Sequence, residues 1–188
     1  MTTVPAWVNN ARATAARSGF GYSCDDRVGR LLAVLAASVP ADGRILELGT
    51  GAGVGTGWLV HGLGDRFDVE VLTVEIDPGI AAHAQAQPWP AWVRFVVGDA
   101  IEVMPSAGKF DLVFADAQGG KWERIDLTVA VLRPGALLVV DDMTPENSWT
   151  ADQASKQAEV RRALLDHPSL TCAELGWATG VILCARRA

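Results

Sequence analysis

With 188 residues, 49% of them hydrophobic, the chain has material for one domain and its core. Its 22 acidic and 16 basic residues leave a formal net charge of −6, which argues against the basic face of a nucleic-acid binder. No early stretch joins a basic start to an apolar core, and no apolar run approaches the ~18 residues that span a bilayer. The expectation is a cytoplasmic protein with no leader and no membrane partner.

In chain order, residues 1–27 carry Arg12, Arg17 and Arg27, read as a solvated surface, and Asp25, read as a helix cap. An apolar helical run over 28–38 is stopped by Pro40 and Gly43. Arg44–Leu48 is short, aliphatic and bounded by glycine, as in a strand buried on both faces. After it, Gly49, Gly51, Gly53, Gly55 and Gly57 alternate with other residues, and a helix is expected to open near Thr56. Strands follow over 70–76, 93–97, 110–115 and 136–140. Between and after them, helices are expected over 80–87, 101–104 (a single turn), 122–132 and 154–165. The last runs, 170–175 and 181–185, read as a hairpin joined by Gly176-Trp177-Ala178-Thr179-Gly180. Repeated strand–helix units ending in a hairpin imply an α/β fold with a mostly parallel sheet and helices on both faces. One domain over 1–188 is expected, with 1–27 as an N-terminal lid segment and 28–188 as the α/β core.

A strand, a glycine loop and a helix N-terminus make a nucleotide-type site, because bare backbone N–H groups face the ligand. The dinucleotide pattern G-x-G-x-x-G fails, since Val54 or Thr56 stands where its third glycine belongs. The P-loop fails too, for want of Gly-Lys-Ser/Thr. The pattern Glu47-x-Gly-x-Gly-x-Gly instead resembles motif I of the class I S-adenosylmethionine-dependent methyltransferases. That resemblance covers the chain after residue 28 and implies their Rossmann-like seven-stranded sheet. It places Glu47 near the methionine part of S-adenosyl-L-methionine, over a loop of Gly49, Thr50, Gly51 and Gly53.

In such sheets ligands collect at the carboxyl ends of the strands. The second strand ends at Glu75-Ile76, where a carboxylate can accept two hydrogen bonds from a ribose diol, and the third ends at Gly98-Asp99-Ala100. By resemblance Glu75 is the ribose acid, Asp99 and Ala100 flank the adenine, and Tyr22 and Ser23 lie in an N-terminal lid over the cofactor. The fourth strand ends at Asp116, counted with the cofactor set and as a catalytic residue, and the fifth at Asp141-Asp142. Like charges gathered there call for a cation, and carboxylate oxygens suit Mg²⁺ or another hard divalent ion. This resembles the catechol and caffeoyl-coenzyme A O-methyltransferases, which implies a metal on Asp116, Asp141 and Asp142 and a small-molecule hydroxyl acceptor. Two departures stand out: Asp142 replaces that group's asparagine, and Gly119 stands where its catalytic lysine belongs. Lys121, two residues later, is the candidate base only if the loop differs.

The same cofactor loop leaves open an N-methyltransferase, an aminopropyl transferase or a cofactor-binding accessory subunit without turnover. Homodimerisation is plausible by resemblance. Among the remaining features, His61, His83 and His167 stand alone, and Cys24 has no activating base nearby. Cys24, Cys172 and Cys184 are expected as reduced thiols. Trp122 and Trp149 are candidate walls for an aromatic acceptor.

Overall fold

The computed structural model describes residues 3–188. Two helices come first, α1 (Ala6–Ser18) and α2 (Asp26–Ala37), followed by β1 (Arg44–Leu48) and α3 (Val54–Leu63). Then come β2 (Glu70–Glu75), α4 (Pro78–Gln85), β3 (Val93–Val97), α5 (Ala100–Ala107) and β4 (Phe110–Ala115). The chain closes with α6 (Ile125–Ala130), β5 (Leu132–Val140), α7 (Ala151–Leu165), β6 (Leu170–Leu175) and β7 (Val181–Arg186). The strands form one seven-stranded sheet in the order β3-β2-β1-β4-β5-β7-β6. β7 runs antiparallel to both neighbours, and the other pairings are parallel.

Side-chain alternation splits the core into two layers. Leu46, Leu48, Val113, Ala115, Leu138 and Val140 pack with Met104, Val129 and Leu164 from α5, α6 and α7. Ile45, Leu112, Phe114 and Val139 face the other way, onto Leu32, Trp58 and Leu59. Burying each large aliphatic side chain contributes roughly 1.5–3 kcal/mol. On that second face α2 and α3 approach until a Cβ on Gly62 would lie 2.1 Å from the Ala33 carbonyl oxygen. β1 pairs with β2 on one side and β4 on the other. The chain reverses its winding there, opening a crevice at the strands' carboxyl ends.

Several boundaries depart from the sequence reading. Residues 1–27, expected as a lid, include α1, whose Val8 and Ala11 join the core layer that contains α3 and whose Ala15 is also buried. Only the stretch after Gly19 borders the crevice. Asp77 caps α4 by accepting from the Gly79 and Ile80 amides, so that helix starts two residues early. α5 continues through Pro105 rather than ending after one turn. The expected 122–132 helix is a π-type turn over Gln118–Trp122 followed by the short α6, and Leu132 already belongs to β5. A Thr150/Gln153 capping box starts α7 at Ala151. Cys172 and Cys184, expected as thiols, lie opposite each other in the β6–β7 register and are joined as a disulfide. Among the described residues, no helix is long and apolar enough to cross a membrane.

Candidate functional site

A cleft of about 720 Å³ opens at the carboxyl ends of β1, β2, β3, β4 and β5. Its floor is the loop after β1. The Gly49 and Thr50 amides donate to the Val74 carbonyl, at 2.9 and 3.1 Å, which pins the loop to β2. Gly49 has φ 95°, and a Cβ there would stand 2.5 Å from the Asp116 carbonyl oxygen, so only glycine lets the loop lie flat on β4. The N-terminal segment closes one side, with the Phe20 ring 2.7 Å from where a Cβ on Gly51 would be. Ser23 and Tyr22 stand on the same wall, Tyr22 almost wholly exposed at the mouth.

Glu47 is fully buried beneath this loop. Its Oε2 accepts from the Thr56 hydroxyl and, at 2.6 Å, from the Thr73 hydroxyl. Oε1 has no partner, and burial pushes the carboxyl up to about 8. At neutral pH Glu47 is therefore a neutral acid, able to donate from one oxygen and accept on the other. Glu75 is only half-buried. It receives the Gly51 amide on Oε2 at 2.9 Å and the Asp77 amide on Oε1 at 3.0 Å, leaving each oxygen a further lone pair. Ile76 forms an exposed lip beyond it. Asp99 caps α5 by accepting from the Ile101 amide at 2.8 Å, and the buried Ala100 sits beside it on the wall.

At the other end, Asp116, Asp141 and Asp142 bring one carboxylate oxygen each to within 4.8 Å of one another. Lys121 joins them, nine-tenths or more buried, with Nζ 3.0 Å from Asp116 Oδ1 and 2.9 Å from Asp142 Oδ2. The π-type turn makes this reach possible. Gly120 has φ 86°, and its carbonyl accepts from the Thr128 hydroxyl at 2.6 Å. A Cβ at Gly120 would stand 2.5 Å from Leu48. The extra residues after Asp116 are thus taken up in the turn, and the lysine enters the cleft from two positions further on. Burial pulls Lys121 down, but Asp116 and Asp142 together outweigh it and hold the ammonium above its ordinary value. Burial pushes Asp116 up to about 7, with Asp142 and Asp141 adding to the shift and Lys121 opposing it. Asp141, almost fully buried, is pushed up chiefly by burial.

Sequence reasoning missed Thr179, whose hydroxyl donates to Asp141 Oδ1 from the β6–β7 connection, and Phe20. Nothing local to either residue signals its role. Trp122 lines the cleft with Trp149 edge-on against it, ring centroids 5.9 Å apart. Asp25, Glu47, Glu75, Asp99, Asp116, Asp141, Asp142 and Glu146 all line the cleft, and among the described residues Lys121 is its one cationic side chain.

The three converging carboxylates have the chemistry of a divalent-ion site, but their surroundings do not fit one. Two of them already share the Lys121 ammonium. Asp141 Oδ1 is taken by Thr179 and by the Asp142 amide, at 2.8 Å from the latter.

Comparison with known proteins bears on the fold and the family. A family profile described as "Methyltransferase domain" matches residues 46–143. Catechol O-methyltransferase from Mycobacterium tuberculosis is 32% identical over 166 residues, 79% of this chain and 74% of that protein. Among solved structures, the O-methyltransferase TomG from Streptomyces achromogenes, in complex with SAM, superposes with a TM-score of 0.84. It is 22% identical and covers 100% of this chain and 92% of that one. The O-methyltransferase from Bacillus cereus in complex with SAH gives 0.82 at 19% identity, over 100% and 93% of the two chains.

Proposed function

The chain belongs to the S-adenosylmethionine-dependent O-methyltransferases, and from that premise we propose which of its residues carry the reaction. Glu75 takes the ribose diol on its two remaining lone pairs, while Asp99 and Ala100 flank the adenine. Gly49, Thr50, Gly51 and Gly53 pass beneath the adenosyl group, with Glu47 at the methionine end. Ile76 and Ser23 close over the cofactor from opposite lips. This seating directs the sulfonium methyl toward Asp116 and Lys121.

The acceptor is a small molecule that offers a hydroxyl. Asp116 removes its proton, the oxygen attacks the methyl carbon, and the carbon–sulfur bond breaks with its electrons going to sulfur. The products are a methyl ether and S-adenosylhomocysteine, and the proton leaves from Asp116 to water. The sulfonium is already a good leaving group, so positioning and deprotonation are what the protein adds. The observation that carries this reading is Asp116 itself. It sits at the rim of the cofactor cleft with its carboxyl near 7, where a general base works best. A catechol acceptor follows the name of the mycobacterial relative. The surplus of carboxyl groups in the cleft narrows the class to acceptors that carry no negative charge.

The test is S-adenosylhomocysteine formation with a panel of small phenols and alcohols, for the wild type and Asp116→Asn. The variant should lose about 10²–10⁴ in kcat at saturating S-adenosylmethionine, the usual weight of a general base. An Asp116→Asn enzyme of unchanged kcat contradicts the assignment.

A further inference from the structure

We propose that the Lys121 ammonium is the resident cation of this acceptor site, so that methyl transfer proceeds without a divalent metal. The inference deepens the function proposed above and rests on it for the acceptor.

Three carboxylate oxygens within 4.8 Å of one another cannot all carry charge unless a cation lies among them. Nζ of Lys121 supplies that charge from 3.0 and 2.9 Å. A divalent ion bonded to the same Asp116 and Asp142 oxygens at ~2.1 Å would crowd the ammonium, and at that separation two cations repel. The lysine cannot readily give way. Its neighbour Gly120 is wedged against Leu48 and tied to Thr128, and the Trp122 ring lies 5.1 Å from the ammonium, which favours a cation there. Asp141 Oδ1 is already held by Thr179 and the Asp142 amide. Each acid of the triad is thus engaged by a protein donor.

An ammonium has three N–H donors, and Asp116 and Asp142 take two. The third is the group that receives the acceptor oxygen as its proton leaves for Asp116. A hydrogen bond to that oxygen strengthens as negative charge develops on it, which is the electrostatic service a metal would otherwise give.

Mn²⁺ titration of the full-length protein, followed by electron paramagnetic resonance, separates the possibilities. The wild type should show no saturable Mn²⁺ site up to millimolar concentration. Lys121→Met, which empties the ammonium's place and leaves the carboxylates, should gain one that binds at least an order of magnitude more tightly than anything in the wild type. A stoichiometric Mn²⁺ site in the wild type overturns the proposal, as does a folded Lys121→Met protein that gains none. Turnover of the wild type in excess chelator is the second readout, and it does not depend on the variant folding. Retained activity supports the proposal, and loss restored by metal defeats it. Should no acceptor be methylated at all, the functional reading fails while the Mn²⁺ titration still decides this one.

Discussion

Replacing Glu75 by glutamine tests the donor half of the cleft. The wild-type carboxylate receives the Gly51 and Asp77 amides at 2.9 and 3.0 Å, one on each oxygen, and keeps one lone pair per oxygen, which the proposed function gives to the ribose hydroxyls. In Glu75→Gln one oxygen becomes an NH₂ group. Whichever way the amide turns, a donor faces a backbone N–H, and one ribose hydroxyl loses its charged acceptor. A hydrogen bond to a charged group is worth ~1.5–3 kcal/mol, and the clash with the loop amide falls partly on the free protein as well. The net loss of cofactor affinity should be ~2–4 kcal/mol, or about thirtyfold to several-hundredfold in Kd. Titration calorimetry with S-adenosylhomocysteine reads this directly, and the melting temperature of the free variant shows whether the loop has collapsed. A Kd within about threefold of wild type, at unchanged melting temperature, would refute the ribose role; 1.4 kcal/mol is tenfold.

Other expectations are independent of that one. Glu47 binds its proton more tightly in the folded protein (about 8) than at its ordinary value of 4.5, and Asp116 has the same sign. Their contribution to stability is full below the ordinary carboxyl range, shrinks as pH rises above it and is gone once pH has passed about 7 to 8. The melting temperature of the free protein should therefore fall across that window, and Glu47→Gln, which mimics the neutral acid, should flatten the fall; a wild type that grows more stable contradicts this. If Asp116 is the base, kcat/KM rises with pH through about 7, and a flat profile there counts against it. Gly62→Ala drives a Cβ to 2.1 Å from the Ala33 carbonyl oxygen, so it should cost ~1–3 kcal/mol and lower the melting temperature by several degrees. S-adenosylhomocysteine affinity of this variant should survive, and a neutral melting curve would show that α2 and α3 separate freely. Among catechols bearing an aminoethyl, hydroxyethyl or carboxymethyl side chain, the carboxymethyl compound should have the lowest kcat/KM. Glu146→Gln should narrow the gap, and a preference for the anionic acceptor would contradict the charge reading.

The sheet and the convergence of Glu47, Glu75 and Asp99 on one end of the cleft were legible because each rests on a local pattern. An apolar run ending in an acid marks a strand's carboxyl end, and strict glycine alternation after Leu48 marks a loop that must lie under a ligand. The end around Asp116, Lys121, Asp141 and Asp142 was less legible because its geometry depends on conformations no spacing rule reports. Lys121 looked misplaced by two residues until the π-type turn, with Gly120 in the left-handed region, drew it inward. The buried Val8, Ala11 and Ala15 of α1 recur at helical spacing, but small side chains and flanking asparagines and arginines dilute the signal. The disulfide had a readable cue. Cys172 lies three residues before Leu175 and Cys184 three after Val181, so the expected hairpin places them opposite each other. Thr179 could not be found from sequence, since its partner Asp141 is 38 residues away.

The most direct measurement is a crystal structure of the protein with S-adenosylhomocysteine. The account predicts both ribose hydroxyls within about 2.6–3.2 Å of the Glu75 carboxylate and the sulfur turned toward Asp116 and Lys121. An adenosyl group seated away from Glu75, or a sulfur facing away from Lys121, would contradict it.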